Sequence, residues 1–162
     1  MDQFKQGMRQ LAGAVTVVTA GKHDDIAGLT ATAVCSLTAD PPRLLACLNM
    51  NGVTFELLRR HGRFCVNVIG EDDLRVAEAF AGMGHVPPTG KFGVGEWEMA
   101  EDRAPRLRSA LVAFECKVHS VTMLSTHGLA IGDVTAVHVA PHCGPLLYHD
   151  GQFAGLAGLL PA

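Results

Sequence analysis

Apolar residues change their period several times along the chain, and each change marks an element. Phe4, Met8, Leu11 and Val15 recur at helical spacing, so MDQFKQGMRQLAG reads as an amphipathic helix with Gly13 as its stop. The β-branched run AVTVVTA then indicates a strand. GKHDD is a turn, and IAGLTATAV and RLLACLN follow as strands on either side of Asp40-Pro41-Pro42. VTFELLRRH predicts a short helix with Phe55 and Leu58 on one side, and RFCVNVIG a returning strand.

EDDLRVAEAFAGM is the clearest helix: acidic residues fill its first turn, and Leu74, Ala77, Phe80 and Ala81 form one apolar stripe. Residues 82–97 carry five glycines and two prolines without periodicity, a loop long enough to cover a ligand. From Leu111 the chain alternates, with Val112, Phe114, Cys116 and Val118 on one face and Glu115, Lys117 and His119 on the other. HGLAIGDVTAVHV and PLLYHDGQFAGL complete a set of about seven strands and three helices that do not alternate as in a parallel doubly wound sheet. The expected fold class is mainly β, a small closed antiparallel barrel with peripheral helices. No repeat or linker divides the chain, so residues 1–162 are expected to form a single domain.

At 162 residues one core suffices, yet 48% of the residues are hydrophobic, and a homo-oligomer is the expected outlet for the surplus. Only 18% are charged, the formal net charge is -3 and no basic run occurs, so no nucleic acid partner is expected. No apolar stretch approaches the roughly 20 residues that span a bilayer, and the N-terminal segment does not read as a signal peptide. A cytoplasmic protein without a membrane partner is expected. Five scattered cysteines in apolar runs suit buried thiols in a reducing compartment better than disulfides.

Several motifs fail. In GHVPPTGKF the first glycine stands one residue too far from Gly90-Lys91 for a P-loop, and Phe92 occupies the place of the magnesium-binding hydroxyl. Gly93 and Gly95 begin a G-x-G, but position 98 is Glu and no strand precedes it. His138, His142, Cys143 and His149 match no standard zinc spacing, so they read as surface residues and no metal is expected. Asn67, between apolar neighbours in CVNV, must find hydrogen-bond partners if buried and is read as structural.

Four blocks in order carry a resemblance: GLTATAVCSLTADPPRLLACLN (28–49); RFCVNVI (63–69) with EAFAGM (78–83); KFGVGEW (91–97); and STHGLAIGDV (125–134) with PLLYHDGQF (145–153). Together they resemble the short-chain flavin reductase family, the NAD(P)H-dependent reductase components of two-component flavin monooxygenases. The resemblance implies a homodimeric FMN-binding split barrel. It also implies hydride transfer from NADH or NADPH to FMN or FAD, and delivery of reduced flavin to a separate monooxygenase component. The small residues of the first block fit that role, because edge-on recognition of a flat ring by backbone N–H groups requires a strand that bulk does not hold away.

By that resemblance Thr30, Ala31, Thr32, Ala33, Val34, Cys35 and Ser36 lie along the flavin, with the main chain of Ala31–Ala33 towards the ring and the Thr32 and Ser36 hydroxyls towards ribityl or ring oxygens. Asn49 and Thr54 lie at the flavin phosphate at a helix N-terminus, with Leu48 and Val53 also among the cofactor-binding residues; Gly52 replaces the family's usual hydroxyl there, leaving Thr54 and backbone N–H groups. Lys91 and Phe92 correspond to a basic-aromatic pair in the loop over the flavin, and Phe153 to an aromatic wall. His127, in Ser125-Thr126-His127, takes the place of the family's histidine facing the nicotinamide and is the one candidate catalytic side chain. Two other readings share such a barrel: a flavin-binding redox carrier or sensor without nicotinamide turnover, and an oxidase of pyridoxine phosphate gripping it with Arg59, Arg60 and Arg63.

Overall fold

The computed structural model describes residues 2–157. In chain order its elements are α1 (Asp2–Arg9), β1 (Gly13–Ala14), β2 (Thr16–Lys22), β3 (Asp25–Ala31), β4 (Val34–Ala39), β5 (Pro42–Asn49), α2 (Val53–His61), β6 (Arg63–Val68), α3 (Leu74–Phe80), β7 (Trp97–Glu98), β8 (Arg106–Leu107), β9 (Val112–Leu124), β10 (His127–Val139), β11 (Leu147–His149) and β12 (Gln152–Ala154). Strand accounts for 47% of the described residues and helix for 19%, so the protein is mainly β.

Seven strands form one sheet in the order β3-β2-β6-β9-β10-β5-β4, antiparallel at every step. The expected barrel does not close: β3 and β4, consecutive in sequence, are the two unpaired margins. Six antiparallel steps separate them, so they point the same way. The stretch IAGLTATAV is therefore not one strand of one ladder. It runs on without reversing but changes neighbour at Thr32–Ala33, from β2 behind to β5 ahead. Two residues reach at most about 11 Å between Ala31 and Val34, so the margins stay close without sharing a ladder.

The alternation of β2 and β6 builds two cores. Val18, Ala20, Phe64 and Val66 face one, which α2 fills with Phe55, Leu57 and Leu58. Val17 and Cys65 face the other, under α3 with Val76, Ala77 and Phe80 and under the short β7–β8 hairpin with Leu107. Gly128 on β10 explains how closely α2 approaches: a Cβ there would run into the Phe55 ring. Asn67 is fully buried, with its amide donating to Val17 O at 3.0 Å and its carbonyl accepting the Leu107 N–H at 2.8 Å.

Two predicted helices are shorter than their patterns. α1 ends at Arg9 and buries none of its residues, and Val15, the last member of that spacing, is fully buried in extended chain before β2. In the 71–83 segment the acidic residues Glu71–Asp73 form a 3-10 turn, and the α-helix proper covers Leu74–Phe80. The loop over 82–97 is fastened to α3: Phe80, Phe92 and Trp97 pack mutually with centroid distances of 5.0 to 5.1 Å.

Candidate functional site

The segment where the chain changes neighbour is open on its outer side. Thr32, Ala33, Cys35 and Ser36 are exposed. Inward-facing groups are spoken for: Thr30 Oγ1 donates to Ala77 O at 2.7 Å, Ala31 O accepts from Thr16 Oγ1 at 2.7 Å, and Ala33 O accepts the Cys47 N–H at 2.9 Å. The Thr30 hydroxyl is thus committed to α3. Neither the Thr32 nor the Ala33 N–H has a backbone acceptor.

The bond between Cys47 and Ala33 also sets the phase of the β4–β5 ladder. In an antiparallel pair the bonded positions alternate, so Cys35 faces Leu45 in the ladder and the Val34 and Ser36 N–H groups turn outward. Unpaired amides therefore recur at Thr32, Val34 and Ser36, every second residue along a margin with small side chains.

Two cavities meet at Thr32, one on the β3 side and one along β4. One of about 360 Å³ is walled by Val15, Thr30, Ala31 and Thr32, by Ala81 and Met83 beyond α3, and by Tyr148 and Phe153. Those two rings meet edge to face at 5.2 Å. The other, about 350 Å³, shares Thr32 and continues past Val34, Cys35 and Ser36 to Arg43 and Val137. Thr32 is the partition between them.

Asn49 and His127 form a second group. They are cross-strand partners on β5 and β10. The β4–β5 register, continued past Ala33, sets Leu48 and Asn49 level with Thr32 and Ala31, where β4 has not begun and β5 has an open edge. Asn49 Oδ1 accepts the Asn51 N–H at 2.9 Å, closing the turn into α2. Gly52 caps α2 without a side-chain bond, the Val53 and Thr54 N–H groups have no backbone acceptor, Val53 is exposed and Thr54 is buried. His127 is exposed, its Nδ1 2.8 Å from Thr126 Oγ1, and it lines neither cavity.

Lys91 and Phe92 turn towards α3. Lys91 Nζ donates to Phe80 O at 3.4 Å, at the C-terminal end of the helix, where the dipole favours a cation. Phe153 and residues 30–32 thus share one cavity, residues 34–36 line the other, Asn49, Thr54 and His127 gather at the end of β5, and the 91–92 pair holds the loop. Sequence reasoning missed Tyr148, Met83 and Val15. The signal for Tyr148 was present: Asp150-Gly151 reads as a tight turn, and the hairpin around it pairs Tyr148 with Phe153. Of the arginines considered for a phosphate grip, Arg60 is held by Asp25 at 3.1 Å and by Glu56.

The fold and the open margin define a mainly β chain with one unclosed antiparallel sheet, and the comparisons make the family definite. The flavin reductase like domain model matches residues 8–157, and the chain belongs to that family. It is 32% identical over 157 residues to an FMN reductase (NADH) of Ancylobacter novellus, covering 97% of this chain and 86% of that one. It is 33% identical over 150 residues to the 4-hydroxyphenylacetate 3-monooxygenase reductase component of Pseudomonas aeruginosa, covering 93% and 88%. Among solved structures, the styrene monooxygenase flavin reductase of Pseudomonas putida superposes with a TM-score of 0.82 at 28% identity, over 99% of both chains. No described helix is long and apolar enough to cross a membrane.

Proposed function

We propose that the protein is an NAD(P)H-dependent flavin reductase, a single domain over residues 1–162 that works in the cytoplasm as a homodimeric split barrel. The observation that carries this reading is the row of outward amides at Thr32, Val34 and Ser36, which runs along one cavity and begins where a second meets it at Thr32. Acceptor atoms along the rim of an isoalloxazine ring suit such a row, and alanine beside it leaves room for a plane to lie close. The bound flavin, FMN or FAD, supplies the redox chemistry, taking at N5 the hydride of nicotinamide C4 before it passes reduced to a separate monooxygenase component.

The chain's own residues bind, orient and shield. Thr32 and Ser36 offer hydroxyls to ribityl or ring oxygens. The free N–H groups of Val53 and Thr54 at the start of α2 suit the flavin phosphate, with Leu48, Asn49 and the Thr54 side chain around it. Tyr148 and Phe153 exclude water from one cavity. Lys91 and Phe92 fix the loop over 82–97 against α3 beside Ala81. His127 orients the nicotinamide from the end of β10. Exposed Leu37, Val137 and Val139, at 46%, 49% and 68% of their surfaces, are the apolar area that a second copy would cover.

The names of the similar proteins, an NADH-dependent FMN reductase and two monooxygenase reductases, support the same reading. Oxidation of NADH and NADPH by purified protein, with FMN, FAD and riboflavin supplied in turn, tests it. Turnover that depends on added flavin is the expected result. A chain that binds flavin and leaves both nicotinamides unoxidised is a carrier or sensor instead.

A further inference from the structure

We propose that Asp72, His142 and Cys143 form a binding site for a borderline-soft divalent cation of the zinc type, tying the start of α3 to the approach to β11. One ligand atom from each side chain lies within 4.8 Å of the other two. Tetrahedral zinc, with bonds of about 2.0–2.3 Å, holds its ligand atoms about 3.3–3.8 Å apart. Closing the set around an ion therefore requires shifts of only about an ångström. Asp72 and His142 are exposed side chains, free to make them.

The backbone beneath the three is laced together. Gly70 bridges to Pro145, the Glu71 N–H donates to Gly144 O at 2.9 Å, and the Leu146 N–H donates to Ile69 O at 2.9 Å. Asp72 follows this lacing by one residue and Cys143 precedes it by one, so neither can drift from the other. Gly70 also sets the thiol: a Cβ there would stand 2.5 Å from Cys143 Sγ, so the sulfur rests where only glycine leaves space.

The bond that His142 makes through Nδ1 leaves Nε2 available to a metal. Its Nδ1 lies 2.9 Å from Ala140 O, and a carbonyl only accepts, so Nδ1 carries the proton. The lone pair of the neutral ring is then on Nε2. A second nitrogen bonded to a backbone carbonyl is the usual support of a metal-binding imidazole.

The charges close as well. On binding, the Cys143 S–H bond breaks, a sulfur–metal bond forms and the proton leaves to solvent. One thiolate, one carboxylate and a neutral imidazole then neutralise a divalent ion, and water completes the fourth position. Thiolate and imidazole together favour zinc or cobalt over magnesium or calcium. Glu71 lies outside the cluster, and its Oε1 accepts the Leu156 N–H at 3.2 Å. Spacing along the sequence could not show this site, since Asp72 stands about seventy residues from the other two and only the folded chain brings it there.

Cobalt titration of the full chain, stripped of metal by chelator, tests the proposal without reference to flavin turnover. The expected result is a sulfur-to-cobalt charge-transfer band with the visible bands of tetrahedral cobalt, saturating at one equivalent and erased by zinc. Cys143→Ser is expected to remove the charge-transfer band, and His142→Ala and Asp72→Asn to weaken cobalt binding at least tenfold. His149→Ala, at an exposed histidine outside the cluster, is expected to leave the spectrum intact. Zinc is expected to raise the Tm of the parent chain and not that of Cys143→Ser. Absence of a sulfur band in the parent, or its persistence in Cys143→Ser, overturns the proposal.

Discussion

His127 and Asn49 stand opposite each other on the β10–β5 ladder, at the end of the sheet that β4 does not reach. This pairing puts an exposed imidazole directly beside the turn that leads into α2, whose first N–H groups are free. On the proposed function, a group there is within reach of a nicotinamide stacked on the flavin.

His127→Ala is accordingly expected to raise the KM for NADH about five- to tenfold, the equivalent of one lost hydrogen bond of about 1–1.5 kcal/mol. The Kd for flavin is expected to stay within about twofold, since His127 lines neither cavity. Steady-state kinetics beside a fluorescence titration of flavin separate the two, and an unchanged KM removes His127 from the site.

Bulk at the neighbour-changing segment is expected to block the ring. Ala33→Leu falls at an exposed position with an unpaired N–H, so stability should move by no more than about 0.5 kcal/mol. Flavin Kd is expected to rise about tenfold or more. Equal affinity in the variant and the parent would mean that the ring binds elsewhere.

Asn67→Ala is expected to cost about 1–3 kcal/mol, because it orphans the buried amide of Leu107 and removes the side-chain bond to Val17 O. Urea unfolding measures the loss. The kcat of the folded fraction is expected to be unchanged, which separates this structural asparagine from the site.

The cysteines divide by burial. Burial pushes the Cys116 thiol up to about 12, with the nearby carboxylates of Asp133 and Glu115 acting in the same direction, and burial drives Cys65 upward as well. A raised value keeps a thiol protonated at neutral pH, so neither supplies thiolate until strongly alkaline conditions or unfolding. Cys35 is exposed and lines a cavity. A thiol reagent at neutral pH is expected to modify Cys35, more slowly with flavin present, and to reach Cys65 and Cys116 only in denaturant. Rapid native labelling of Cys116 would contradict its placement in the core.

Local pattern made much of this legible. The alternation of residues 112–119 and the helix at 53–61 lie where the sequence placed them, because each follows from side chains within a few positions. What stayed hidden needed partners far along the chain. No local rule says that Ala31 pairs back to Thr16 while Ala33 bonds forward to Cys47, so one extended run reads as one strand and the sheet reads as closed. The apolar spacing of Phe4, Met8 and Leu11 likewise promised a buried face that the described fold does not cover. Phe92 packs on Phe80 and Trp97, and Lys91 Nζ donates to Phe80 O, contacts to residues close in sequence that the loop's irregular composition did not announce.

Residues 25–39 form two strands joined at a bend at Thr32 and border the sheet first on one flank and then on the other. A guest resting on the bend touches the opening and the final strand at once. Occupancy should therefore slow amide hydrogen exchange in both outer strands together, as a buckle tightens both ends of one belt.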